Sequence, residues 1–222
     1  NDSRRVLPAK PARAELGLPD DAVVLCMFNQ TYKVSPEMVD LWARILHAAP
    51  NTVLWQLRYN DQASANLVRE LQARGVAPER LYFSPLAASD EHLARLQCAD
   101  LMLDTWPCNA HTTASDALWC GVPVLTVPGQ TFASRVAASL VTACGLPEFV
   151  CTDAAQYVER AVALAREPAL LAAAQQQLAA QRDQLPLFDS RRYARDFEAL
   201  LQRMHDRHAQ GLAPDHLEAA AT

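Results

Sequence analysis

An α/β fold, a parallel sheet with helices on both faces and a helical C-terminal tail, is what the 222-residue sequence predicts. Three observations carry that expectation. Apolar stretches of strand length alternate with helix-patterned ones, joined by short links, from residue 22 to residue 151. From residue 153 onward only helix patterns remain, at 153–165, 168–183 and 190–210. Half of the residues are hydrophobic, ample for a packed core, and no linker divides residues 21–210. The parallel crossovers are expected to be right-handed.

Residues 1–20 read as a leader or linker ending in a Leu-Pro turn. The first strand, 22–28, is the apolar run Ala22-Val-Val-Leu-Cys-Met-Phe28. Helix 36–48 starts on Ser35 as N-cap, with Pro36 in the first helical position. The Pro50-Asn51 turn leads into strand 52–58, and helix 63–74 stops at Gly75 before strand 80–83. Ser89-Asp90-Glu91 opens helix 89–98 in similar fashion to Ser35. Strand 100–104 ends in a turn built on Pro107 and Asn109, and helix 112–120 stops at Gly121 before Pro123. Strand 122–127, helix 133–143 and strand 148–151 complete the alternation. The Ala/Gln-rich run at 171–181 is a high-propensity helix. The lobe is expected to span 21–217, with 218–222 a disordered tail.

Composition excludes several classes. The net charge of −5 is made of scattered signs, which argues against a nucleic-acid surface. No apolar run approaches the roughly 18 residues of a membrane span. The start lacks an apolar h-region, so no signal peptide is expected, and without an initiator Met it reads as a piece of a longer protein. Cysteines 26, 98, 108, 120, 144 and 151 form no Cys-x-x-Cys pair and mostly sit in apolar segments, as reduced buried thiols of a cytoplasmic protein do. Gly-x-Gly-x-x-Gly, Walker and Asp-x-Asp motifs are all absent from the sequence, so no cofactor and no metal are expected, and Asp100 and Asp104 read as strand-edge residues.

The candidate chemistry lies between residues 28 and 116. His111, Thr112 and Thr113 follow the polar turn after strand 100–104 and open a helix. A helix start offers free N–H groups and positive dipole potential to a phosphate. The competing reading is that a threonine simply caps that helix. Among 18 arginines there are two lysines, and Lys33 is the one outside the leader, just past the first strand. A compact ammonium suits a phosphate contact. Asp116, one turn into the helix, either accepts from ribose hydroxyls or complements the helix N-terminus. His92 and Arg95, three apart on one helix face, either flank a base or are ordinary helix residues. Lys33, Ala87–His92 and Cys108–Asp116 all lie past the carboxyl ends of predicted strands, where open parallel sheets bind ligands.

These residues resemble a known family. Phe28-Asn-Gln-Thr-Tyr-Lys33, Ser84-Pro-Leu-Ala87, Glu91-His92, Leu103-Asp-Thr105, Cys108-Asn-x-His-Thr-Thr113 and Thr131-x-Ala-Ser-Arg-Val-Ala-Ala-Ser139 look like the C-terminal catalytic lobe of protein O-GlcNAc transferases and their bacterial relatives. Pro186-Leu-Phe188 and Pro214-Asp-His216 fit as well, so the likeness covers roughly residues 15–217. It implies a Rossmann-like lobe of a GT-B fold and an inverting, metal-independent glycosyltransferase. The reaction implied moves GlcNAc from UDP-GlcNAc to Ser/Thr of proteins. Carried over, Gln30 and Lys33 contact the diphosphate, Lys33 stabilising the departing UDP. His111, Thr112 and Thr113 donate to the phosphates and Asp116 holds the ribose. Ala87 (through its backbone), His92 and Arg95 surround the uracil, and Tyr32 and Cys108 lie near the sugar. Cys108 also reads as a small buried thiol.

Two departures from the family pattern stand out. Ser89 replaces a lysine near the nucleotide, and Trp106-Pro107 replaces a Pro-Leu pair beside the sugar pocket. The resemblance further implies an upstream second lobe and tetratricopeptide repeats. The general base is expected on that lobe and not on this chain, which leaves the isolated lobe inactive in transfer. The same donor lobe also suits a GT-B enzyme acting on peptide Asn, glycan or lipid, or a silent nucleotide-sugar-binding module.

Overall fold

A computed structural model describes residues 5–218. Five parallel strands form one sheet: β1 (Val23–Met27), β2 (Thr52–Arg58), β3 (Leu81–Pro85), β4 (Leu101–Leu103) and β5 (Val124–Leu125). Their order is β3-β2-β1-β4-β5. The register puts Leu25 opposite Leu54 on one side and Leu101 on the other. All five residues of β1 and six of seven in β2 are buried, as strands covered on both faces must be.

Among the described residues eight α-helices accompany the sheet: α1 (Pro36–Ala48), α2 (Asp61–Ala73), α3 (Ser89–Leu96), α4 (Thr112–Trp119), α5 (Val136–Ala143), α6 (Ala154–Arg166), α7 (Pro168–Gln181) and α8 (Ser190–Ala209). α1 packs on α2 and α6, while α4 packs on α3 and α5. The helix starts follow local chemistry. Ser35 caps α1 by accepting from the Met38 N–H, and Met38, Leu41, Trp42, Ile45 and Leu46 then form the buried stripe. α2 begins two residues earlier than its apolar pattern suggests, because Asn60 accepts from the Ala63 N–H and caps it.

The expected strand at 148–151 is replaced by a 3₁₀ turn, Pro147–Phe149, with one bridge between Thr126 and Val150. Pro147 fixes φ and lacks an N–H for a ladder. Pro123 and Pro128 likewise restrict β5 to two residues, against the 122–127 expected. Ser89 is not the cap of α3; Ala88 occupies that position without a side-chain hydrogen bond, and Asp90 and Glu91 complement the dipole instead. α5 starts at Val136 rather than 133, since Thr131 and Ser134 lock a 3₁₀ turn at Phe132–Ser134.

Residues 5–20 are bound to the lobe, not a free leader. Arg13 donates to the Cys98 and Ala22 carbonyls and pairs with Asp100, and Leu18 is buried. Residues 1–4 and 219–222, and with them most of the expected tail, lie outside the described residues. Within the described residues no helix is long and apolar enough to cross a membrane. α8 has no buried residue and exposes Tyr193, Phe197, Leu201 and Met204 along one stripe.

The C-terminal end of α1 is closed from a distance. Arg80, just before β3, donates to the carbonyls of Leu46, Ala49 and Thr52. The Leu46 oxygen is one that a helix end leaves without an intrahelical partner, the Ala49 oxygen also accepts from Thr52 Oγ1, and a cation there opposes the negative end of the dipole. Arg80→Met is therefore expected to lower the unfolding free energy by about 2–4 kcal/mol, read from urea midpoints with unchanged slope. A loss within error of zero would show that solvent serves these carbonyls equally well.

Candidate functional site

In the order β3-β2-β1-β4-β5 the chain reverses direction across the sheet between β1 and β4. The loops leaving the carboxyl ends of these two neighbours part there, opening a crevice of the kind that binds ligands. Those loops carry residues 28–35 and 104–111. They meet through Lys33, whose Nζ donates to the Asn109 carbonyl at 2.6 Å. Beneath that contact Asn29 Nδ2 donates to Thr105 Oγ1 at 3.0 Å, Thr105 Oγ1 to the Cys108 carbonyl at 2.9 Å, and Asn109 Nδ2 to the Thr105 carbonyl at 2.8 Å.

Asp104 anchors this turn. It is fully buried, not a strand-edge residue as its position after β4 suggests. One carboxylate oxygen accepts from the Ala110 N–H at 2.6 Å and the other from Thr126 Oγ1 at 2.6 Å. Tyr157 Oη donates to the Asp104 carbonyl at 2.9 Å. Burial pushes the Asp104 carboxyl up to about 6, against the opposing hydrogen bonds from Thr126 and Ala110 and the Lys33 charge. Asp104, Asn29, Thr105 and Tyr157 were not anticipated as site residues. The one available signal was a carboxylate at the end of a run of buried-type residues, which needs donors from somewhere.

The turn delivers the chain to α4. His111 holds the N-cap position with no side-chain cap, so neither Thr112 nor Thr113 caps the helix. Ser115 N is bonded to the His111 carbonyl, which leaves the amides of residues 112–114 as the ones an α-helix start does not bond internally. His111 Nε2 lies 3.3 Å from the Ala133 carbonyl. Lys33 and the start of α4 thus stand on either side of Asn109, two sources of positive potential around one crevice.

A third wall comes from β3 and α3. Phe28 packs edge-on to Trp55 at 4.7 Å and against His92 at 5.6 Å between centroids. Burial, and then the Arg95 guanidinium, hold His92 below its ordinary pKa, with Asp116 opposing. The neutral imidazole that results offers one donor and one acceptor. Arg95 does not face the crevice as an exposed base contact. It is 3% exposed, donates to the Pro85 carbonyl at 2.6 Å and lies over the Phe28 ring, so it supports the loop from behind.

The other expected residues take varied positions. Gln30 is exposed and its carbonyl accepts from the Lys33 N–H, while Tyr32 is 77% exposed. Ala87 and Cys108 are half-buried on their loops. Asp116 is already engaged: Arg5 Nη1 pairs with it at 2.7 Å. A ribose would share or displace that partner. Among the described residues no group of three His, Cys, Asp or Glu side chains gathers as a metal site.

The family model of glycosyl transferase family 41 matches residues 5–197. The chain belongs to this family. A Caenorhabditis elegans protein named UDP-N-acetylglucosamine–peptide N-acetylglucosaminyltransferase is 42% identical over 206 residues, covering 93% of this chain and 18% of that relative. The solved structure of a mutant of the Thermobaculum terrenum O-GlcNAc transferase is 34% identical with a TM-score of 0.75, over 85% of this chain and 36% of that one. The C-terminal domain of a Francisella tularensis glycosyl transferase group 1 family protein shares the fold alone. It is 12% identical with a TM-score of 0.58, over 80% of this chain and 94% of that domain. The family 41 chain is thus a Rossmann-like lobe of GT-B type, and it spans about a fifth of the length of the nematode relative.

In this family 41 lobe Asp104 has a measurable signature. A carboxyl whose folded pKa exceeds its unfolded value holds its proton more tightly when folded, so stability falls as pH rises through the interval. At about 1.4 kcal/mol per pKa unit, the rise from 3.8 to about 6 corresponds to about 3 kcal/mol. The stability of the wild type relative to Asp104→Asn is expected to fall by up to that amount between pH 4 and pH 6.5, read by urea unfolding at each pH. Parallel pH curves for the two proteins would show that Asp104 titrates normally.

Proposed function

We propose that this chain is the donor-binding lobe of an inverting, metal-independent glycosyltransferase that moves GlcNAc from UDP-GlcNAc to Ser/Thr of proteins. The single observation that carries the reading is the Lys33–Asn109 contact beside the uncapped start of α4. It puts an ammonium and a set of helix-end amides around one crevice, as a departing diphosphate needs. Family membership and the peptide N-acetylglucosaminyltransferase name of the nematode relative support the donor and acceptor classes.

In this reading the uracil lies against His92 and the Ala87 backbone, with Phe28 and Arg95 stiffening that wall from behind. Lys33 turns from the Asn109 carbonyl to the β-phosphate, and the amides and hydroxyls at Thr112 and Thr113 take the remaining charge. Asp116 exchanges Arg5 for the ribose hydroxyls. Tyr32 and Cys108 flank the sugar, and Gln30 completes the diphosphate contacts. As C1 separates from the phosphate oxygen, these groups stabilise negative charge that grows on the leaving group, which lowers the barrier rather than only tightening binding. The acceptor hydroxyl attacks from the opposite face of the sugar. Its base and the wall that positions it within about 3–3.5 Å belong to an upstream lobe, preceded by tetratricopeptide repeats. A reducing cytoplasm suits the six unpaired cysteines, five of them buried.

Calorimetry with UDP tests the reading. Binding is expected to be equal in EDTA and in magnesium. Lys33→Ala removes a charge-assisted contact of about 1.5–3 kcal/mol, so it should weaken UDP roughly ten- to a hundredfold. An unchanged dissociation constant in that variant, or strict metal dependence, refutes the mechanism.

The base wall has its own test. His92→Ala is expected to weaken UDP while leaving inorganic pyrophosphate unaffected. Equal losses for the two ligands would remove His92 from uracil recognition.

A further inference from the structure

The two ends of the arm that precedes β1 are held very unequally. At its inner end Arg13 donates to the Cys98 and Ala22 carbonyls at 3.1 and 3.0 Å and pairs with Asp100 at 2.7 Å. Midway, Gln97 Nε2 donates to the Pro8 carbonyl at 2.8 Å, and Cys98 Sγ to the Pro11 carbonyl at 3.4 Å. Residues 5–12 form neither helix nor strand, as expected of a segment punctuated by Pro8 and Pro11. At the outer end Arg5 Nη1 pairs with Asp116 Oδ1 at 2.7 Å, the two side chains being 29% and 15% exposed. Val6 beside it is 81% exposed, so Arg5 can swing away without uncovering apolar surface.

The weakly held end is the one that reaches the crevice. Asp116 lies on the second turn of α4, beyond the first turn where a carboxylate complements the helix dipole. Its cation is delivered from 111 residues away. The same guanidinium bears on His92. Burial, then Arg95, hold that imidazole below its ordinary pKa; Asp116 opposes them and Arg5 adds to the lowering. Arg5, His92 and Asp116 thus share one corner of the crevice, the corner that the donor reading gives to the nucleoside. A ribose diol presents two hydroxyls and meets a carboxylate best through both oxygens, one of which Arg5 already holds.

We propose that residues 5–12 are an intramolecular competitor of the nucleoside, with Arg5 occupying Asp116 until the ribose hydroxyls displace it. This rests on the reading of the crevice as the donor site. By linkage the arm weakens the nucleotide by the factor with which the nucleotide loosens the arm. Anything that holds the arm away therefore tightens the donor. A partly exposed ion pair is worth little, so the factor is about two- to fivefold. A ligand overcomes that readily, and a titration resolves it.

Titration of the chain with uridine reads the sign. Arg5→Ala is expected to tighten uridine by about two- to fivefold, and UDP should gain as well. Inorganic pyrophosphate and 2′,3′-dideoxyuridine 5′-diphosphate bring no ribose hydroxyls to Asp116 and should show no gain. Weaker or unchanged uridine binding in Arg5→Ala overturns the inference, and so does an equal gain for the dideoxy nucleotide. The thermal midpoint of Arg5→Ala should match the parent, because the Arg13 anchors remain. Displacement has its own readout in the ¹⁵N-labelled chain. At saturating uridine the Arg5 Nε–H signal should move to the position it takes in Asp116→Asn without ligand. A signal that stays where the ion pair holds it overturns the exchange. Failure of both the parent and Arg5→Ala to bind UDP would refute the donor-site reading and the inference with it. Equal binding of UDP and of uridine by the two proteins refutes the competition alone.

Discussion

The buried Asp104 carboxylate is the constraint on which the crevice depends. Its two oxygens take the Ala110 amide and the Thr126 hydroxyl, so one side chain ties the β4 turn to β5. Tyr157 on α6 fixes the same residue through its carbonyl. The turn between these anchors has little freedom left, and it presents the Asn109 carbonyl to Lys33 and His111 to the start of α4. A buried carboxylate is costly unless its lone pairs are filled. Here the two carboxylate donors come from separate segments, the Ala110 amide in the following turn and the Thr126 hydroxyl just past β5, so the cost of burying the charge is also what pins the loop.

Polar and aromatic parts of the site are supported in different ways. On the Lys33 side, Asn29, Thr105 and Asn109 form a buried network whose hydrogen bonds set backbone positions. On the His92 side, rings do the same by packing: Trp55 donates to Ser84 Oγ from β2 to β3, Phe28 sits against it, and His92 lies on Phe28. Arg95 bridges the two styles, stacking on Phe28 while bonding the Pro85 carbonyl. His92 and the start of α4 therefore rest on packed or hydrogen-bonded groups one layer below, whereas Gln30 and Tyr32 are exposed.

Part of the crevice lining was readable from the chain. Lys33 stands out because arginine is the default cation here, and the polar turn before Thr112 sits at a strand end leading into a helix. Arg95 and Asp104 were harder. Helical spacing puts Arg95 beside His92, yet the guanidinium lies inward, bonded to the Pro85 carbonyl and over the Phe28 face. Asp104 looks like a strand-end acid until β5 and α6 close over it.

By itself the sequence determined the order of elements, because apolar periodicity, proline positions and caps such as Ser35 act within a few residues. It also carried the family, through clustered motifs on the loops. Tertiary structure alone decided the strand order, and hence that the loops after β1 and β4 are neighbours. It decided that Arg5 meets Asp116, 111 residues away, and that Arg80 closes the end of α1. It also shortened β5 and turned the expected strand at 148–151 into a bridge. These outcomes depend on which distant groups are brought within hydrogen-bonding distance when the core packs, and local pattern holds no information about partners so remote in sequence.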